Sequence, residues 1–379
     1  MAMRRRSPKR RSVGVRILSA VSLTATIVGC GDKAPTGEKI GDMTIVFDAD
    51  CKWLESNARK EMESALTRFD KIDVVYGHND PQAHGAWLAA RAEGQGREQS
   101  IEFIGIDANP DEGKKYVREG ILSATLEYPT GAAEAIDVAL LILSGLEVPK
   151  NISLATTLYT KDNLDSGGIP VEAPGAAMVA ELRAKHAGIL KPDPANAAKW
   201  TIGMSQCNLG EPWRVRMNQE VEAAAAKYPQ LKVVYKDAQN DSQTQRNQVE
   251  EFLTQKIDLL IVSPKETVPL TPPVKKVFEA KVPVIVLDRS IQGDTYTCFI
   301  GGNNTLIGRT AGRYIGHVMQ GKGNIVELKG LMTTDPAHER HDGFIQGLKD
   351  YIADPAGIDK LFTGGAAATQ PAGATTKPE

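Results

Sequence analysis

The sequence predicts an α/β fold of two doubly wound parallel-sheet lobes. Short, nearly continuous apolar runs alternate with longer stretches of helical spacing, the pattern of strands covered on both faces by crossover helices. The runs are too many for one compact sheet, so they divide between two. The chain has 379 residues, 41% hydrophobic and 24% charged. That is enough for two domains with their own cores, and it excludes a disordered, collagen-like or disulfide-stapled chain.

Taken in order, the first segment stands outside the fold. Arg4, Arg5, Arg6, Lys9, Arg10, Arg11 and Arg16 precede residue 17 with no acid among them, and an apolar stretch, 17–28, follows. A basic segment before an apolar one too short to span a bilayer predicts a secretory signal peptide over 1–29. Its end, Ile27-Val28-Gly29-Cys30, resembles the lipobox of bacterial lipoproteins. The resemblance implies lipidation of Cys30, with 30–42 as a lipidated tether and residence on the periplasmic or cell-surface side. An ordinary signal peptide with a chance cysteine is the alternative. Of the 45 Lys and Arg, 38 remain beyond the leader against 47 Asp and Glu, about −9 formally. A body of that sign has no electrostatic reason to bind nucleic acid.

Strands are expected at 43–47, 72–76, 101–106, 123–126, 201–204, 231–235, 259–262, 284–287, 298–300 and 324–328. Helices are expected at 57–69, 210–228, 243–255, 272–279 and 305–319. The Gly- and Pro-rich stretch 162–199 breaks the alternation and reads as a linker with one helix near 177–186. The Ala/Gly/Thr-rich tail 363–379 reads as disordered. Cys51, Cys207 and Cys298 are an odd set with no metal spacing, so at least one thiol is free. His338 and His341, three apart, lack the H-E-x-x-H spacing of a zinc protease, and neither a metal site nor a cofactor is expected.

Ligands of doubly wound sheets bind beyond the carboxyl ends of the strands. The residues there are Trp53, Asn79, Asp107, Tyr128, Glu211, Trp213, Arg214, Asp288, Arg289, Asn303 and Arg340. Carboxylates, amides and guanidinium groups suit hydroxyls, and an indole suits the C–H face of a sugar ring.

At these residues the chain resembles the ribose- and galactofuranose-type periplasmic sugar-binding proteins of ABC importers. The segments that carry the resemblance are VPVIVLDRSI, IGGNNTLIGRTAG, NIVELKG with HERHDGF, IDVVYGHNDPQAHGA, FIGIDANPD and IGMSQCNLGEPWRVRM. The family's order is reversed here: the segment resembling its second half, 43–160, precedes the one resembling its first, 200–351. A circular permutation follows, with the old termini joined through 158–199. The resemblance then implies discontinuous lobes, 43–128 with 303–362 and 129–157 with 200–302. Three chain crossings, near 128/129, 158 and 302/303, form the hinge. It also implies a monomer whose Trp53 and Trp213 cover opposite faces of a monosaccharide. Asp288, Arg289 and Arg214 bond its hydroxyls from one lobe, with Asn79, Asp107 and Arg340 from the other. Closure would deliver the sugar to ABC permease subunits. Glu211 and Tyr128 depart from the family pattern, which leaves the sugar's identity open. A sugar-sensing receptor is the alternative. A glycosidase using Asp107 and Asp288 as its carboxylate pair is a more remote one.

Overall fold

The computed structural model describes residues 37–363 except 172 and 174–176. The anticipated signal peptide, the Cys30 lipidation site, most of the tether and the tail from 364 onward lie outside the described residues.

With strands numbered in chain order, the larger sheet holds β1 (Glu38–Ile40), β2 (Asp42–Asp50), β3 (Val74–Gly77), β4 (Glu102–Asp107) and β5 (Ala124–Glu127). It also takes β7 (Thr156–Thr160), β8 (Ile169–Val171) and β14 (Lys322–Lys329). Its order is β1-β2-β14-β3-β4-β5-β7-β8. The central strands β2, β14, β3, β4 and β5 are parallel, and β1, β7 and β8 add antiparallel edges. The smaller sheet holds β6 (Asn151–Leu154), β9 (Trp200–Gln206), β10 (Leu231–Asp237), β11 (Leu259–Ser263), β12 (Val284–Leu287) and β13 (Cys298–Gly302). It runs β10-β9-β11-β12-β13-β6, parallel throughout. The runs that read as buried strands are buried: β3, β11 and β12 have no exposed residue. No described helix is long and apolar enough to cross a membrane.

Each lobe draws on distant parts of the chain. Passages between them fall after β5, at Ala155 between β6 and β7, between β8 and β9 along the joining segment, and after β13. The second lies a few residues before the expected crossing at 158, because Thr156–Thr160 pairs with β5 in the larger sheet. The segment anticipated as linker is packed rather than loose. It supplies β8 to the larger sheet, while Arg183 Nε, on the helix Met178–Lys185, donates to Asp137 at 2.7 Å. Residues 357–362 are helical within Pro355–Thr363 and bury Ile358.

One helix pair matters for the site. Asn304–Met319 and Asp335–Ala353 approach almost backbone to backbone. A Cβ at Gly308 would lie 2.1 Å from the Arg340 carbonyl oxygen, and one at Gly343 2.1 Å from that of Thr305. This close contact seats Arg340 against Asn304.

Candidate functional site

All the anticipated site residues except Asn303 line one cavity between the lobes, joined by Pro336. Its volume is about 310 Å³, counting the space open at its mouth. Asn303 lies one residue too early. Its Oδ1 accepts from Leu306 N–H at 2.9 Å, capping the helix Asn304–Met319, and it lines a neighbouring cavity. Its neighbour Asn304 supports the site instead, accepting from Arg340 Nε at 2.9 Å.

The wall from the smaller sheet is built on one carboxylate. Asp288 follows β12 with φ +72°. Its Oδ2 meets Arg214 Nη2 at 2.6 Å and Arg289 Nε at 3.8 Å, and its Oδ1 accepts from Tyr128 Oη at 2.8 Å. Burial pushes the Asp288 pKa up, but the two guanidinium groups and the tyrosine more than offset it, and the group is held below the usual carboxylate value. Arg214 is itself 2% exposed and also donates to Ser263 Oγ at 2.6 Å. Trp213, at the start of the helix Pro212–Ala225, donates Nε1–H to the Tyr128 carbonyl at 2.8 Å and lies 5.1 Å from the Tyr128 ring. The tyrosine at the chain crossing thus joins both lobes.

The opposite wall comes from the larger sheet. Trp53 takes φ +67° after β2, and its ring rests on Gly330, where a Cβ would sit 2.1 Å from the indole. Only glycine at 330 leaves that ring its place. Asn79 caps the helix Asp80–Glu93 by accepting from Gln82 N–H at 3.0 Å, and it donates Nδ2–H to the Trp53 carbonyl at 3.1 Å. Arg340 lies over Tyr128 at 4.5 Å and over Trp53 at 5.1 Å. It makes no ion pair among the described residues, and its Nη1 donates to the His78 carbonyl. Asp107 ends β4 at φ +120°. Burial raises its pKa well above the usual value, Arg340 opposes the rise, and Asp80, Glu112 and Glu211 add to it. Three wall residues, Trp53, Asp107 and Asp288, therefore hold the positive φ that L residues avoid, a strain characteristic of binding sites.

Behind this wall lies a layer that strand-end reasoning does not find. Glu327 is fully buried between His78 (Nε2 at 3.0 Å) and His341 (Nδ1 at 2.9 Å). Gly330 N–H donates to His78 Nδ1 at 3.2 Å, so the His78 proton is on Nε2 and points to the carboxylate. Hydrogen bonds from both rings outweigh burial and hold Glu327 at about 2, while Glu327 raises His341. His341 is thus bound to a carboxylate rather than arranged with His338. No His/Cys/Asp/Glu group suited to a metal occurs among the described residues. Cys51, Cys207 and Cys298 are all buried and unpaired. The lobes also touch at the cleft edge, where Arg216 Nη1 donates to Asn109 at 3.3 Å and Thr333 Oγ1 to Glu266 at 3.1 Å.

Against known proteins, residues 202–375 match the periplasmic binding protein domain. The ribose import binding protein RbsB of Bacillus subtilis is 30% identical over 149 residues, 39% of this chain and 48% of that protein. The galactofuranose-binding protein YtfQ of Escherichia coli is 30% identical over 161 residues, 41% and 50%. A solved galactofuranose-binding protein is 28% identical, with a TM-score of 0.38 over 40% of this chain and 52% of its own. The chain spans about half the length of the curated relatives it matches. Residues 202–375 thus resemble a periplasmic binding protein domain, and the relatives matched over part of their length are sugar-binding proteins.

Proposed function

We propose that this chain captures a monosaccharide, galactofuranose- or ribose-like, between its lobes by hinge closure. It then delivers the sugar to an ABC importer as an extracytoplasmic, lipid-anchored monomer without catalytic activity. The observation that carries this is the composition of one cavity by both lobes, each supplying an indole, a guanidinium and a carboxylate. Indole faces take the C–H side of a ring, and charged planar groups take vicinal hydroxyls. The names of the relatives, ribose import and galactofuranose binding, favour the same ligand class. Opening would break Tyr128–Asp288, Arg216–Asn109 and Thr333–Glu266, so a sugar bonded to both walls favours the closed form. The carboxylates are poorly placed for hydrolysis: Asp288 is neutralised by two arginines and fits no general-acid role. Calorimetry against galactofuranose, ribose, galactose and arabinose is expected to give one-to-one heat with at least one sugar. No heat with any of them, or turnover of a glycoside, overturns the proposal.

We infer also that the chain order is a circular permutation. Read circularly from β9, both sheets take the same order, second-first-third-fourth-fifth: β10-β9-β11-β12-β13 and β2-β14-β3-β4-β5. Old termini at the surface and breaks in loops make such an exchange compatible with folding. A chain opened within 161–199, with 363 rejoined to 37 by a short Gly/Ser linker, is expected to melt cooperatively with an unchanged far-UV spectrum. An aggregated or molten product counts against it.

A further inference from the structure

One carboxylate beneath the cavity is used by none of the roles above. Asp80 follows Asn79 as the first residue of the helix Asp80–Glu93 and is fully buried, with no ion pair among the described residues. Its Oδ2 accepts from Ala108 N–H at 2.8 Å and its Oδ1 from Thr125 Oγ1 at 2.6 Å. One side chain at the end of β3 thereby ties down the end of β4 and the middle of β5. Space for it is cleared by two glycines. A Cβ at Gly105 would lie 2.2 Å from Oδ1, and one at Gly113 1.9 Å from Oδ2.

The segment it holds is strained. Asp107 and Ala108 have φ of +120° and +51°, which non-glycine residues keep only where their surroundings over-determine them. The Ala108 amide is the one backbone donor inside that turn that Asp80 engages. We propose that Asp80 is a positioning residue for Asp107: its bond to Ala108 N–H fixes the left-handed turn that sets the Asp107 carboxyl in the cavity wall. This rests on the proposal that Asp107 bonds a sugar hydroxyl. Burial raises the pKa of both carboxyls, Glu112 adds to the rise and Arg340 opposes it. Both bonds are accepted by the Asp80 oxygens, so the clamp needs an acceptor at that position. Asparagine at 80 can still accept from Ala108, with the Thr125 hydroxyl turned to accept from its amide.

The test measures sugar affinity by calorimetry for wild type, Asp80→Asn and Asp80→Ala, each with Asp107 intact and with Asp107→Ala. Exchange of the Ala108 amide is followed without sugar in the same proteins. Asp80→Ala is expected to weaken binding about 10- to 100-fold when Asp107 is present. With Asp107→Ala the further loss is expected to be under about twofold, because a positioning residue acts only through its partner. Asp80→Asn is expected to stay within about threefold of wild type, and the Ala108 amide to lose protection in Asp80→Ala alone. Equal losses in both backgrounds, or an Ala108 amide still protected in Asp80→Ala, overturn the assignment. If Asp80→Ala does not fold, Thr125→Val removes one of the two bonds and is expected to show a smaller loss with the same dependence on Asp107. A wild type that binds no sugar refutes the sugar proposal, while the Ala108 exchange still decides the clamp.

Discussion

The double variant Asp107→Ala, Arg340→Ala is expected to lose sugar binding beyond detection while keeping its fold. Both side chains lie in the cavity wall, 6% and 3% exposed, and both sit on the larger sheet's side. Among the described residues Asp107 has no side-chain hydrogen bond and Arg340 no ion pair, so each retains bonding capacity for a ligand. Removing a charged partner from a buried hydroxyl costs about 1.5–3 kcal/mol. Two such losses approach a thousandfold or more in affinity, at about 1.4 kcal/mol per tenfold. Titration followed by the fluorescence of Trp53 and Trp213 measures it. Binding within about tenfold of wild type would remove both residues from the ligand set.

Asp288→Ala is expected to have the largest effect on stability. The substitution leaves the Arg214 guanidinium 2% exposed without its carboxylate and strips Tyr128 Oη of its acceptor. Breaking a buried pair from one side costs about 3–5 kcal/mol. Urea denaturation of wild type and variant checks the size. A loss under about 1 kcal/mol would mean that water already screens the pair. The sign with pH follows from the direction of the shift. The Asp288 pKa is lowered in the folded chain, so its contribution is present above the ordinary carboxylate value and fades as pH falls through the lowered one. Asp288→Ala should accordingly lose part of the wild type's acid sensitivity.

Much of the architecture was legible because parallel strands buried on both faces write themselves as apolar runs. Every anticipated strand is present, usually extended by a residue or two toward the cleft, as in Trp200–Gln206 and Cys298–Gly302. The edges were not legible. Asn151–Leu154, Thr156–Thr160 and Ile169–Val171 are short, mixed in polarity and partly exposed, so no run marks them. Thr156–Thr160 earns its place by pairing with β5, and a pairing partner distant in the chain leaves no local trace.

The cavity divides the same way. Residues immediately after a strand could be read off, because the end of a strand fixes where its next side chains go. Asn303 and Asn304 show the limit of that rule. The sequence offers two asparagines in a row, and only the helix phase decides that the first caps the helix while the second meets Arg340. Pro336 is a backbone-shaped wall with no polar chemistry to signal it.

The sequence by itself determined the α/β class and the strand ends that carry polar and aromatic groups. Both reside in local pattern, where burial dictates residue type position by position. Only the tertiary structure decided how those groups are held: Asp288 by Arg214 of the helix Pro212–Ala225, the turn at Asp107 by the bond from Asp80 to Ala108 N–H, and Arg340 by the His78 carbonyl, with Glu327 and His78 behind. Each of these joins residues tens to hundreds of positions apart. Their energies come from burial and from angles between side chains on different strands, and the spacing of residues along one strand carries no record of either.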